Sequence, residues 1–243
     1  MSYTAPPQNI TFKGLLFDMD GTIIDSTAAV EKHWHTVGNE IGVDPVVILE
    51  TSHGRRSIDM LKVLAPEKAN WEYVRHMEGL LPKLHGEDAV EIPGARALLD
   101  ELIAAQAPWA IVTSGTVPLV TGWLDRLELP HPEHLVTAES VENGKPDPAC
   151  YELGLSRLGL DKAVSGEVLV LEDSPAGIAS GKAAGCKVIG VVTSHTLEQV
   201  VAAGPDWIVQ DLRSVTFVES LPGAVTLQIS NALATSGYTS AHL

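Results

Sequence analysis

The chain has 243 residues, 45% of them hydrophobic and 19% charged, and a formal net charge of −15 at pH 7. That composition is globular and long enough for one large core, or a core with a small insert, and carries no disorder signature. The negative balance argues against nucleic acid or an anionic membrane as a partner, since both need a basic surface, and it requires local cations to draw in any anionic substrate.

The opening stretch MSYTAPPQNI has no basic region followed by an apolar run, so no signal peptide is expected. No apolar stretch approaches the roughly 20 residues a membrane helix needs. KGLLFD then reads as a buried strand with Asp18 at its carboxyl end. Similar runs follow in WAIVTS (109–114), EVLVLED (167–173), CKVIGVVT (186–193) and WIVQD (207–211). Helical patterns lie between them: GARALLDELIAAQ from Gly94, VPLVTGWLDRL from Val117, DPACYELGLSRLG from Asp147, SPAGIASGKAAG from Ser174 and TLEQVVAAG from Thr196. Ser174 followed by Pro175 has the form of an N-cap with proline in the first turn.

Strands alternating with helices at this spacing predict an α/β fold, a Rossmann-like and mostly parallel sheet built from βαβ crossovers. One stretch breaks the alternation. From about Ser26 to Glu91 only helical patterns occur, closing at Pro93–Gly94. The expected organisation is therefore a discontinuous core of residues 1–25 and 92–243, with a helical cap at 26–91 over the active end of the sheet. The two cysteines, Cys150 and Cys186, stand in unrelated contexts and suggest neither a disulfide framework nor a zinc site. A reducing cytoplasm is the expected compartment.

Ligand sites in such sheets lie beyond the carboxyl ends of the strands, which is where Asp18, Ser114 and Asp173 fall. Asp18 and Asp20 stand two apart, so both can point to one side of an extended segment before the turn at Gly21. Ser114 with Gly115 offers a hydroxyl and an open backbone N–H. Lys145, between Gly144 and Pro146, presents an ammonium from a loop. Glu172 and Asp173 close the fourth strand. Four carboxylates against one lysine need further positive charge, and a hard divalent cation such as Mg²⁺ supplies it.

Four segments in order, FDMDGT, the serine of VTSGT, the lysine of NGKPDP, and LEDSPAGIASGKAAG, resemble the motifs of the haloacid dehalogenase superfamily of phosphatases. The insert resembles that superfamily's cap. SHGRR at 52–56, with VTSGT and NGKPDPACY, is similar to the fungal 2-deoxyglucose-6-phosphate and glycerol-3-phosphate phosphatase branch. The resemblance implies a Mg²⁺-dependent phosphomonoesterase for small sugar or polyol phosphates, working through an aspartyl phosphate; a capped enzyme can work as a monomer, and that is the expected state. It implies Asp18 as nucleophile, Asp20 as proton donor and acceptor, and Ser114 and Lys145 as catalytic partners. Asp18, Asp20 and Asp173 are implied around the metal, with Glu172 a ligand or its support. Thr22, Gly115, His53 and Arg56 are expected at the substrate, and Arg55 is a second cap candidate.

Within the same superfamily, a dehalogenase lacks the acid supplied here by Asp20. A phosphonate hydrolase needs a Schiff-base lysine in the cap, and none of Lys32, Lys62, Lys68 and Lys83 sits in a recognisable motif. A phosphosugar mutase carries a histidine ten residues after the acid, where this chain has Val30. A catalytically silent sugar-phosphate sensor could dispense with Asp18 or Asp20; both are present. His33 and His35 stand two apart on a predicted helix and so face different ways, which argues against a metal pair. GIASGKA lacks the residues of a phosphate-binding loop at Ala176 and Ala183.

Overall fold

The computed structural model describes residues 2–52 and 54–234. In chain order its strands are β1 (Gln8–Phe12), β2 (Gly14–Phe17), β3 (Ile24–Asp25), β4 (Val90–Glu91), β5 (Trp109–Val112), β6 (Leu135–Val136), β7 (Val168–Glu172), β8 (Lys187–Val191), β9 (Trp207–Val209), β10 (Val215–Leu221) and β11 (Ala224–Ile229). The helices are α1 (Thr27–Ile41), α2 (Pro45–Ser52), α3 (Ser57–Leu64), α4 (Trp71–Glu78), α5 (Leu81–Leu84), α6 (Ala95–Ala104), α7 (Val117–Arg126), α8 (Ala149–Arg157), α9 (Pro175–Ala183) and α10 (Leu197–Ala203).

Six strands pair in the order β6–β5–β2–β7–β8–β9, every neighbour parallel. The five predicted strands are all there, and their unbroken apolar runs have a simple cause: both faces of the sheet are covered. Side chains alternate across the sheet. Leu15 and Phe17 of β2 join Ile111, Leu169 and Ile189 in one core layer, against α6 and α7. Leu16 goes the other way, to Val112, Val170 and Val188, beneath Tyr151 of α8 and Ile178 of α9. Ser174 caps α9, accepting from the Gly177 N–H at 3.0 Å, with Pro175 in the first turn.

A three-stranded antiparallel sheet, β1–β11–β10, lies outside the predicted alternation. Its strand β11 alternates, with Val225, Leu227 and Ile229 buried in the first core layer. The hairpin between β10 and β11 turns at Pro222–Gly223, where Gly223 takes φ 71°.

The helices α1–α5 follow β3 and precede β4, and these two short strands pair antiparallel (Ile24 with Glu91, Asp25 with Val90). The insert thus enters and leaves through one two-stranded stem. Strand β4 is a correction to the reading that found only helix between Ser26 and Glu91. Trp34, Val37, Ile48, Ile58, Leu61 and Val74 give the insert its own apolar cluster. Among the described residues no helix is long and apolar enough to cross a membrane, and Cys150 and Cys186 are buried free thiols.

Candidate active site

Parallel strands deliver their carboxyl ends to one rim. Asp18 follows β2 directly, Ser114 lies just past β5, and Glu172 and Asp173 end β7. Because β5, β2 and β7 are adjacent, these side chains are neighbours although far apart in sequence.

Lys145 ties the three strand ends together. Its ammonium donates to Asp18 Oδ1 at 2.5 Å, to Glu172 Oε1 at 2.7 Å and to the Val112 carbonyl at 3.1 Å. An ammonium has three N–H donors, so each strand receives one. Burial works against the charge, but Asp18 and Glu172 outweigh it and hold the lysine pKa well above its ordinary value. Burial pushes the Asp18 carboxyl the other way; Lys145 pulls it back, Glu172 and Asp173 push it up again, and the balance is raised.

Asp20 sits beside this cluster and accepts from Ser26 Oγ at 2.6 Å. Burial is the largest influence on Asp20 and lifts its pKa to about 6, with Ser26 pulling down and Asp173 pushing up. Ser26 stands at the N-cap position of α1 yet makes no cap bond with its side chain, because its hydroxyl is turned to Asp20. Gly21 takes φ 86°, and a side chain there would collide with the Asp173 carboxylate. That position requires glycine on both counts.

Asp18, Glu172 and Asp173 present carboxylate oxygens all within 4.8 Å of one another. Asp173 accepts from the hydroxyls of Thr22 and Ser194, groups that can rotate away. Glu172 is different. Its Oε1 accepts from Lys145 and from the Tyr151 hydroxyl at 2.9 Å, and its Oε2 from Asp173 N, Ser174 N and Ser174 Oγ. The donor set therefore fits a hard cation at Asp18 and Asp173, all oxygen and rich in negative charge. Glu172 belongs to the same cluster and is close enough to be a ligand, but both its oxygens also accept from protein donors, so it stands between a ligand and a support for Asp173.

One cleft, with a volume of about 80 Å³, is lined by Asp18, Asp20, Ser114, Gly115 and Asp173 on the core side. The insert adds His33, Trp34, Arg55 and Glu78. A larger open cleft of about 1180 Å³, between α4–α5 and α7, contains none of the strand-end carboxylates. The Ser114 hydroxyl donates to the Gly54 carbonyl of the insert at 3.0 Å, and the Gly115 N–H to Thr113 Oγ1 at 3.0 Å.

Two expected substrate contacts are placed elsewhere. Thr22 is fully buried and donates to Asp173 Oδ1 at 3.3 Å, so it braces a carboxylate instead of facing the cleft. Arg56 is 3% exposed and outside the cleft lining, bonded to Asp59 and to core carbonyls, while its neighbour Arg55 reaches the cleft. His53 lies outside the described residues.

Sequence reasoning passed over Ser26, Glu78, Tyr151 and Ser194. Ser194 follows β8 at the same rim, so the strand-end rule that selected Ser114 and Asp173 covers it as well. Glu78 had no local signal, since nothing in WEYVRHME marks one acid of an amphipathic helix as buried.

A protein-family model described as haloacid dehalogenase-like hydrolase matches residues 15–191. In sequence the chain is similar to glycerol-1-phosphate phosphohydrolase 1 of Saccharomyces cerevisiae, 39% identical over 222 residues and covering 88% of each chain. It is similar also to 2-deoxyglucose-6-phosphate phosphatase 2 of the same organism, 34% identical over 234 residues, covering 90% of this chain and 95% of the relative. In fold it is similar to the solved structure of a hydrolase from Pseudomonas syringae, with a TM-score of 0.70 over 82% of this chain and 94% of that one, at 22% identity.

Proposed function

The chain belongs to the haloacid dehalogenase-like hydrolase family, and from that premise we propose that it is a Mg²⁺-dependent phosphomonoesterase acting on small sugar or polyol phosphates. The observation that carries the reading is one narrow cleft shared by Asp18, Asp20, Ser114 and Asp173, with the buried Lys145 bonded to Asp18. The relatives in glycerol phosphate and deoxyglucose phosphate chemistry support the substrate class.

In this reading Asp18 attacks phosphorus, the bond from phosphorus to the leaving alkoxide breaks, and an aspartyl phosphate forms. Asp20 gives its proton to the alkoxide, then takes one from the water that attacks the phosphoryl group. Inorganic phosphate leaves and Asp18 is restored. The Asp18 and Asp173 carboxylates and the Asp20 backbone carbonyl would hold Mg²⁺, which supplies positive charge against the phosphoryl oxygens. Lys145 supplies charge from below, and the Ser114 hydroxyl would exchange the Gly54 carbonyl for a phosphoryl oxygen. That exchange links substrate binding to the insert, which we read as a cap domain spanning 26–91 on a core of 1–25 and 92–243. A cleft of about 80 Å³ takes a small head group, and larger leaving groups require the cap to lift.

The same reading takes the partner to be a small phosphate ester and the enzyme to be a cytoplasmic monomer without nucleic acid or membrane. The net charge of −15 disfavours polyanionic surfaces. The test is release of inorganic phosphate from a panel of sugar and polyol phosphates, with and without EDTA. Turnover that stops in EDTA and returns with Mg²⁺ is expected. Turnover indifferent to EDTA, or none across the panel, contradicts the reading.

A further inference from the structure

Arginine at a cap surface usually faces solvent or ligand, and Arg56 does neither. It precedes α3, and its five N–H donors are all engaged. Nε and Nη2 form a fork on Asp59, at 2.7 Å to Oδ2 and 2.9 Å to Oδ1. Nη1 donates to the carbonyls of Ala138 (3.1 Å) and Val141 (2.8 Å), and Nη2 to that of Glu142 (2.8 Å). The three carbonyls belong to the core, more than 80 residues away in sequence.

Those carbonyls lie on the segment that ends in Lys145. After the short turn Ala138–Ser140 the chain has no helix or strand until α8 begins at Ala149. Little repeating backbone pairing is therefore available to fix it. Gly144, next to Lys145, comes so close to the guanidinium that a Cβ would stand 2.6 Å from Arg56 Nε. The loop is moulded onto the arginine, and the Asp59 fork holds the arginine rigid. At the far end of the loop Lys145 makes its three bonds to Asp18, Glu172 and Val112.

We propose that Arg56 is a positioning residue for Lys145: the insert, through this one guanidinium, sets the loop that places the ammonium under Asp18. The catalytic consequence rests on the phosphatase reading above, whereas the structural one does not. If the insert moves as a cap, the loop that leads to Lys145 has its Arg56 brace only while the insert is seated, so closure is linked to the exact placing of the ammonium. A lysine at 56 would keep a cation beside Asp59 and lose the fork across the three carbonyls.

The test compares the wild type with Arg56→Lys by hydrogen exchange and by kinetics on glycerol-1-phosphate and 2-deoxyglucose-6-phosphate. Exchange across 138–147 should quicken by about tenfold, with 187–209 unchanged. The kcat should fall by roughly tenfold or more, by the same factor on both substrates, with KM within about threefold. Unchanged exchange across 138–147 overturns the proposal. Losses that differ between the two leaving groups, or that fall in KM alone, also overturn it, since they mean that Arg56 touches substrate. If Arg56→Lys fails to fold, Asp59→Asn loosens the guanidinium while keeping all its donors, and the same outcomes decide. If the wild type hydrolyses neither ester, the kinetics use two esters of the panel that do turn over; no turnover across the whole panel refutes the phosphatase reading, and the exchange measurement then decides the loop contact by itself.

Discussion

Lys145 Nζ lies 2.7 Å from Glu172 Oε1, with both side chains closed off from water. A buried pair is weak evidence of net stabilisation, but removing one partner leaves the other charge stranded. Glu172 also accepts from the Asp173 and Ser174 N–H groups, which are buried donors. Glu172→Ala should cost about 3 kcal/mol of unfolding free energy, the lower end of the usual range because Lys145 keeps Asp18. Urea denaturation measures it, and a loss under about 1 kcal/mol would mean that this network does not hold the strand ends together.

Glu78 accepts from Ser57 Oγ at 2.6 Å and from the Thr116 N–H at 2.8 Å. Burial is the main influence and pushes its pKa up to about 7 from the ordinary 4.5, with both hydrogen-bond partners pulling down. The folded protein therefore binds this proton more tightly than the unfolded chain does. Its contribution to stability is complete below about pH 4.5 and is lost as pH rises through about 7. Glu78→Gln, neutral throughout, removes that slope. Relative to the variant, the wild type should lose about 2 kcal/mol between pH 5 and 7.5, read from urea midpoints at each pH. Parallel stability curves for the two proteins would show that Glu78 is ionised in the fold.

Gly177, in the first turn of α9, lies against Glu172 so closely that a methyl group would overlap its carboxylate. Overpacking typically costs about 1–3 kcal/mol, and here the displaced group is also the Lys145 partner. Gly177→Ala should lower both thermal stability and activity. A variant with unchanged melting and turnover would show that the Glu172 side chain can shift freely.

Arg55 is exposed and lines the same cleft as Asp18 and Ser114, so under the proposed function it is the insert's arginine for the leaving group. Arg55→Ala should raise KM by roughly tenfold with kcat nearly unchanged, the size of one lost charge-assisted hydrogen bond. Identical kinetics on every ester tested would remove Arg55 from recognition.

The sheet was legible because its signals are local and repeated. Runs such as EVLVLED could only be buried on both faces, and an acid or hydroxyl after such a run marks the active rim. The antiparallel sheet was missed because β1 and β10 are mostly exposed and so lack an unbroken apolar run, and because β1 pairs with a strand from the opposite end of the chain, Gln8 with Ile229. The two arginines mark the limit in the site. GRRS gives adjacent residues of identical chemistry, and only tertiary placement shows that one bonds core carbonyls while the other faces the cleft. Glu172 was ambiguous for the same reason, since the donors that occupy it come from Lys145 and Tyr151 on other segments.

The claim on which the mechanism turns is that Asp18 becomes phosphorylated. Wild-type protein mixed with radiolabelled glycerol-1-phosphate, quenched in acid within a turnover and digested, should carry label on the peptide containing Asp18. Asp18→Asn should keep its fold by circular dichroism, carry no label and lose turnover by at least about 10⁴-fold. Phosphate release by the wild type with no labelled peptide at any time, or an active Asp18→Asn protein, would contradict the account.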